Sequence, residues 1–243
     1  YPYTSSTTKI LRENFKNLYK ESTKLINLSS KDLVIDIGSN DGNLLSNFKK
    51  NHRVLGVTPE NIGKIAIKKG INTLIKYFDR KTSLNILKKF GRAKLITATN
   101  VFAHIEDVNN LMKNILNILD KDGVFITESH YLVTLIKELQ YDTIYHEHLR
   151  YYSLLSLKYL FEKYNLTIFH ATKIPTHGGS IRVYVSRKNK FKISSSVKKI
   201  IKEEKKFLNW KNFHKFETNV TNSKLSLYSL LYNIIKKGNK IYG

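Results

Sequence analysis

The sequence predicts a doubly wound α/β fold on a mainly parallel sheet. Three features carry this. Short apolar strands alternate with amphipathic helices from residue 33 to about residue 139, the first strand runs straight into a glycine turn, and a second glycine turn at Gly178-Gly179 feeds a strand of alternating pattern that should run antiparallel to its neighbour. In such sheets ligands lie at the carboxyl ends of the strands, so the loops there are where chemistry should be sought.

Ile10, Leu11, Phe15, Leu18, Leu25 and Ile26 recur at helical spacing and define a first amphipathic helix. Leu33-Val34-Ile35-Asp36-Ile37 then reads as a buried strand, and Gly38-Ser39-Asn40-Asp41-Gly42 as its turn into a helix. Glycine here lets the backbone approach a ligand, with helix amides facing it. The turn is neither a GxGxxG nor a lysine-bearing phosphate loop. Asp36 and Asp41 would repel a pyrophosphate and suit a cationic or hydroxyl-rich ligand, which favours S-adenosylmethionine over NAD or ATP.

Strands at 52–57, 72–78, 93–99 and 123–128 alternate with helices at 61–69, 82–90, 107–119 and 131–139. Asn100 and His104 follow the fourth strand and so sit on the ligand rim. A helix at 154–164, a strand at 166–170 and the strand entered through His177-Gly178-Gly179-Ser180-Ile181-Arg182 complete the unit. Ser180 and Arg182 suit a sugar or phosphate oxygen. A charged helical arm should run from Ser194 to about Phe216 and a second helix from Lys224 to Lys237. Asn239 to Gly243 reads as a strand entering another glycine turn.

Composition narrows the class. With 243 residues, 41% of them hydrophobic, the chain can build one large domain or a domain with an appendage. No apolar run approaches a membrane span. There is no cysteine, hence no disulfide or thiolate metal site, and Tyr1-Pro2-Tyr3 lacks the order of a signal peptide, which makes a cytoplasmic location the default. The formal charge of +23 invites a nucleic-acid reading. The lysines are scattered over nearly every helix, however, without an RNP, helix-turn-helix or zinc-finger pattern. They read as a solvated surface that helps attract an anionic small molecule.

The unusual stretch is 141–152, where two histidines, two acids, an arginine and four tyrosines fall within twelve residues. His146 and His148 on an exposed strand would be the bland reading, with Glu147 on the other face. Acid/base work fits the set better: a histidine takes a proton near neutral pH, a carboxylate orients it, and a phenol donates to an oxyanion. A metal would need a third ligand that no spacing supplies.

Tyr1-Pro2-Tyr3-Thr4-Ser5-Ser6, Asp36 to Gly42, Tyr145-His146-Glu147-His148 and His177-Gly178-Gly179-Ser180-Ile181-Arg182 together resemble the S-adenosylmethionine-dependent sugar C-methyltransferases that act on nucleotide-linked 4-keto-deoxysugars. The resemblance implies a Rossmann-like, class I methyltransferase sheet over residues 1–190. Residues 191–243 would form a helical arm and the start of a C-terminal Rossmann-like domain, making the sequence the middle portion of such an enzyme, without the family's zinc module.

It further implies methylation of C3, with His148 as base, Glu147 and Tyr145 orienting it or binding the enolate oxygen, and His104 facing them. S-adenosyl-L-methionine would meet Asp36, Gly38, Asn40, Gly42 and Asn100 near its methionine, Thr58 near its ribose and Phe78 at its adenine. Thr58 stands where the family usually has an acid, with Glu60 close by. The nucleotide-linked keto sugar would meet Tyr3, His177, Ser180 and Arg182. An O- or N-methyltransferase, or a non-catalytic basic module, are the alternatives. Asn100-Val101-Phe102-Ala103 in place of Asn-Pro-Pro-Tyr argues against N-methylation of an amide or base.

Overall fold

The computed structural model describes residues 4–242. Helix α1 (Lys9–Leu25) precedes strand β1 (Leu33–Ile37), which is buried along its whole length. There follow β2 (Arg53–Thr58), α2 (Gly63–Lys68), β3 (Thr73–Ile75), α3 (Arg80–Phe90), β4 (Ala93–Thr99), α4 (Val108–Ile118), β5 (Leu119–His130), α5 (Leu132–Lys137), α6 (Leu154–Glu162), β6 (Leu166–Ile174), β7 (Ser180–Arg187), α7 (Ser195–Phe207) and α8 (Trp210–Lys236).

The strands form one seven-stranded sheet in the order β3-β2-β1-β4-β5-β7-β6. All neighbours are parallel except β7, which is antiparallel to both β5 and β6, as the glycine-led strand predicts. Ile86 of α3, Met112 and Ile115 of α4, Phe161 of α6 and Ile200 of α7 pack on one face against Ile35, Ile96 and Phe125. Phe15 and Leu18 of α1, with Phe48 and Ala66, cover the other against Val34, Leu95 and Ile126. Burying apolar strands between two helical layers leaves their carboxyl ends as the place where loops can diverge.

Several boundaries differ from the sequence reading, each for a local reason. No α-helix follows Gly42: a single 3-10 turn forms at Leu45–Asn47. There Ser46 Oγ donates to the Gly42 carbonyl at 2.9 Å and Asn47 Nδ2 to the Asn43 carbonyl at 3.1 Å, and such side-chain bonds compete with helix propagation. Helix α3 starts at Arg80 because Asp79 caps it, accepting from Thr82 N at 2.7 Å. The C-terminal break falls at Leu208-Asn209, where Asn209 accepts from Asn212 N, and α8 then runs 27 residues without interruption. Residues 239–242 form no strand.

Candidate active site

A cavity of about 790 Å³ opens at the carboxyl ends of β1, β2, β4 and β5, within the range of ligand-sized clefts. The turn after β1 forms its floor. Gly38 (φ +78°) and Asn40 (φ +50°) hold left-handed backbone. A Cβ at Gly38 would lie 2.5 Å from Val101 Cγ2, so the close approach of the β1 and β4 loops requires glycine. Gly42 (φ +77°) is left-handed too but does not line the cavity; it serves packing, because its Cβ would meet Ile71 and Ala66 at 2.6 and 2.9 Å. Ser5 closes over the turn: its N–H donates to Asn40 Oδ1 at 3.0 Å, its hydroxyl to Asp41 Oδ1 at 2.7 Å, and its carbonyl accepts from Asn43 at 3.1 Å.

Asp36 lines the cavity yet is 2% exposed, and accepts from Thr97 Oγ1 at 2.6 Å. Burial, aided by repulsion from Glu128, pushes its carboxyl up to about 7 although the Thr97 hydrogen bond opposes this. Asp41 goes the other way. Hydrogen bonds from Ser6, Ser5 and Lys69, with the Lys69 charge, outweigh burial and hold it below the usual carboxylate range. Ser39 and Ser129 are buried cavity residues whose hydroxyls have no protein partner among the described residues. Unpaired buried hydroxyls are costly in a finished core and ordinary where a ligand completes the site.

The opposite wall is the segment 141–152, which forms loop and turn rather than strand, Tyr145 to His148 being closed by a backbone bond of 3.0 Å. His148 Nδ1 lies 3.0 Å from the Thr143 carbonyl, and its Nε2 3.3 Å from the Tyr145 hydroxyl. A carbonyl only accepts, so the proton of the neutral ring sits on Nδ1. Nε2 is left with a lone pair beside the phenol.

Leu149 N donates to the Ala103 carbonyl at 2.8 Å, and Arg150 donates to the carbonyls of Ile105 and Glu106. These bonds clamp the loop to the rim after β4 and set the His104 and His148 ring centroids 5.0 Å apart. Burial and the neighbouring His148 hold His104 below the ordinary histidine range, against the opposing influence of Glu147. On the next wall His177 sits at φ +53°, 3.3 Å from Asn100 Nδ2, and burial with His130 and His148 lowers it as well.

Of the residues singled out from sequence, Asp36, Gly38, Asn40, Thr58, Asn100, His104, Tyr145, His148 and His177 line this one cavity. Others do not. Phe78 packs against the hydrophobic core, and Glu147 is exposed beside His104. Ser180 is buried, its hydroxyl donating to the Thr176 carbonyl at 3.0 Å.

Arg182 is 2% exposed and turned to the α1 face, with Nε 2.6 Å from Glu128, Nη1 2.8 Å from Glu21 and Nη2 2.8 Å from Asn14 Oδ1. Glu128, Glu21 and Asn14 claim its guanidinium inside the protein, and it does not line the cavity. The Tyr3 expectation lies outside the described residues.

Sequence reading passed over Ser129 and His130, which end β5 at the cavity, although the strand-end rule alone points to them. His130 Nε2 is fixed 2.8 Å from Gln140 Oε1, and Gln140 Nε2 in turn donates to the Gly178 carbonyl at 2.8 Å. Among the described residues no group of three or more His, Asp or Glu is placed to hold a metal ion, and no helix is long and apolar enough to cross a membrane.

Residues 9–171 match the methyltransferase domain family, and residues 175–243 match the C-methyltransferase C-terminal domain. The C-methyltransferase NovU of Streptomyces niveus is 35% identical over 188 residues, which span 76% of this chain and 45% of NovU. The chain therefore spans under half the length of that relative.

Among solved structures, the magnesium protoporphyrin IX methyltransferase ChlM of Synechocystis, with bound SAH, superposes with a TM-score of 0.57 at 12% identity, over 72% of this chain and 83% of that one. An S-adenosylmethionine-dependent methyltransferase of Clostridium acetobutylicum gives 0.56 at 16%, over 75% and 93%. These likenesses establish the Rossmann-like class I fold. With its sheet order, its glycine turn and the match over residues 9–171, the chain belongs to the methyltransferase domain family.

Proposed function

We propose that this chain is the methyl-transferring part of an S-adenosylmethionine-dependent C-methyltransferase, and that its acceptor is C3 of a nucleotide-linked 4-keto-deoxysugar. The observation that carries the reading is His148, whose Nδ1 is anchored to the Thr143 carbonyl so that Nε2 keeps the lone pair of a base, which accepts from the Tyr145 hydroxyl until substrate replaces it. The C-methyltransferase relative and the C-methyltransferase match over residues 175–243 support carbon as the acceptor.

The cavity fits the cofactor. Its cationic end suits Asp36 and the Gly38–Asn40 turn, its ribose suits Thr58 with Glu60, and the unpaired hydroxyls of Ser39 and Ser129 offer donors. When bound, S-adenosylmethionine supplies an electrophilic methyl group.

The protein's task is to make a carbon nucleophilic. A proton next to a ketone is removed by His148 Nε2, the C–H electron pair becomes the enolate double bond, and the ketone oxygen takes the negative charge. Tyr145 and His104 stand at that wall as donors to the oxygen, and a neutral His104 donates without needing a prior charge. Clamping the loop that carries His148 and Tyr145 to the β4 rim that carries His104 removes the cost of assembling base and donors in solution.

The test is product analysis with methyl-¹³C cofactor and a nucleotide 4-keto-6-deoxysugar. The reading expects a methyl carbon bonded to carbon that survives acid hydrolysis. A methoxy signal would replace it with sugar O-methylation.

A further inference from the structure

One of the fully buried carboxylates outside the cavity belongs to the C-terminal arm. Glu204 of α7 is 0% exposed. Its Oε1 accepts from Leu154 N at 2.6 Å and from the Tyr131 hydroxyl at 2.9 Å, and its Oε2 accepts from Leu155 N at 2.8 Å. Leu154 and Leu155 are the first residues of α6, whose own cap, Ser153, satisfies only Ser156 N. Two of the orphan amides at that helix start are therefore satisfied by a residue 50 positions later in the chain.

What meets at Glu204 is the end of the His148 loop. Tyr131 follows His130 of the cavity and pairs with Tyr152, and Leu132 N donates to the Tyr152 carbonyl at 2.9 Å. Next in the loop, the Tyr151 hydroxyl donates at 3.1 Å to the Thr143 carbonyl, the same oxygen that fixes His148 Nδ1. The start of the loop is also tied to the arm, through the Tyr141 hydroxyl and Ser223 Oγ of α8 at 3.2 Å. Both ends of the segment that presents the base thus rest on α7 and α8.

We propose that Glu204 is a positioning residue: through it the C-terminal helical arm fixes the His148 loop and thereby the tautomer of the base. The inference rests on the proposed reaction for its consequence in rate, but its geometric content stands apart from that reaction. An arm that only added stability would contribute to the melting temperature and leave the ring alone.

The chain is labelled with ¹⁵N-histidine, and the His148 resonances are assigned by comparison with His148→Gln. In the wild type, His148 should show a protonated Nδ1 and an unprotonated Nε2. Glu204→Gln keeps the shape but turns one acceptor into a donor facing an N–H, and should give averaged tautomers. Affinity for S-adenosylhomocysteine should hold, and exchange of the sugar C3 proton into D₂O should fall roughly 10- to 100-fold.

Tyr131→Phe deletes one of the three bonds and should move the same signals less, so it carries the measurement if the Gln variant does not fold. An unchanged Nδ1–H signature in both variants, or in Tyr131→Phe alone if only that one folds, would overturn the proposal. Were the wild type to exchange no C3 proton at all, the proposed reaction would fail, and the tautomer comparison would still decide the role of Glu204.

Discussion

Replacing Asp36 by Asn should make the protein more stable at pH 8 and leave it nearly unchanged at pH 4. Asp36 is pushed from 3.8 up to about 7 in the folded chain, by burial first and by Glu128 second. Between those values the native state holds a proton that the unfolded state has released. Stability from this group is therefore full below about 3.8 and lost as pH rises through about 7. The difference corresponds to on the order of 4 kcal/mol at pH 8.

An Asn keeps an oxygen to accept from Thr97, which now bonds Asp36 at 2.6 Å, and removes the titration. Urea unfolding of both proteins without cofactor, at pH 4 and pH 8, measures the gap, and equal m-values would show that the unfolded states match. A gap of the same size at both pH values would refute the assignment. The same charge is what a sulfonium needs. Affinity for S-adenosylmethionine should rise through about pH 7 in the wild type and stay flat in Asp36→Asn.

Gly38→Ala forces a Cβ to within 2.5 Å of Val101 at φ +78°, costing about 1–2 kcal/mol. It should weaken S-adenosylhomocysteine binding by about tenfold or more in calorimetry. Arg182→Met leaves Glu128 and Glu21 without their shared cation. The loss should be about 3–5 kcal/mol in urea unfolding, with cofactor affinity unchanged, whereas a phosphate-binding Arg182 would raise the sugar-nucleotide KM without that loss.

Glu21 tests the acid limb. Burial raises it, but hydrogen bonds from His170, Tyr184, Arg182 and Thr172 outweigh that and hold it at about 2. Its contribution, about 3 kcal/mol, should be present above 4.5 and disappear as pH falls through about 2, and Glu21→Gln should flatten that part of the stability curve.

The fold was legible in the sequence where one signal dominated. An apolar run such as residues 33–37 next to a glycine turn has few other ways to be buried, and the histidines within 141–152 stood out because no buried face calls for them, although its Arg150, Tyr141, Tyr151 and Tyr152 hold the loop in place. Partners distant in the chain were not legible. Arg182 looked like a ligand group because an arginine beside a glycine turn suits a phosphate oxygen, while the α1 and β5 acids that claim it lie 161 and 54 residues away.

Ser180 was lost to a local partner instead, the Thr176 carbonyl four residues back in the turn that precedes its strand. The continuity of α8 was hidden by Thr218, Asn219, Val220, Thr221 and Asn222, weak helix formers that the full-length helix carries nonetheless. Glu204 gave no sign at all, because nothing in a lysine-rich helix marks which acid will cap another helix.

The most direct test is the exchange of the C3 proton of a nucleotide 4-keto-6-deoxysugar into D₂O. It is followed by NMR with S-adenosylhomocysteine present, for the wild type and for His148→Ala. Loss of the C3 signal with the wild type alone is the predicted result, since the proposed base is the Nε2 lone pair of His148, which the alanine lacks. Equal exchange by both proteins, each shown to bind the cofactor product, would contradict the account.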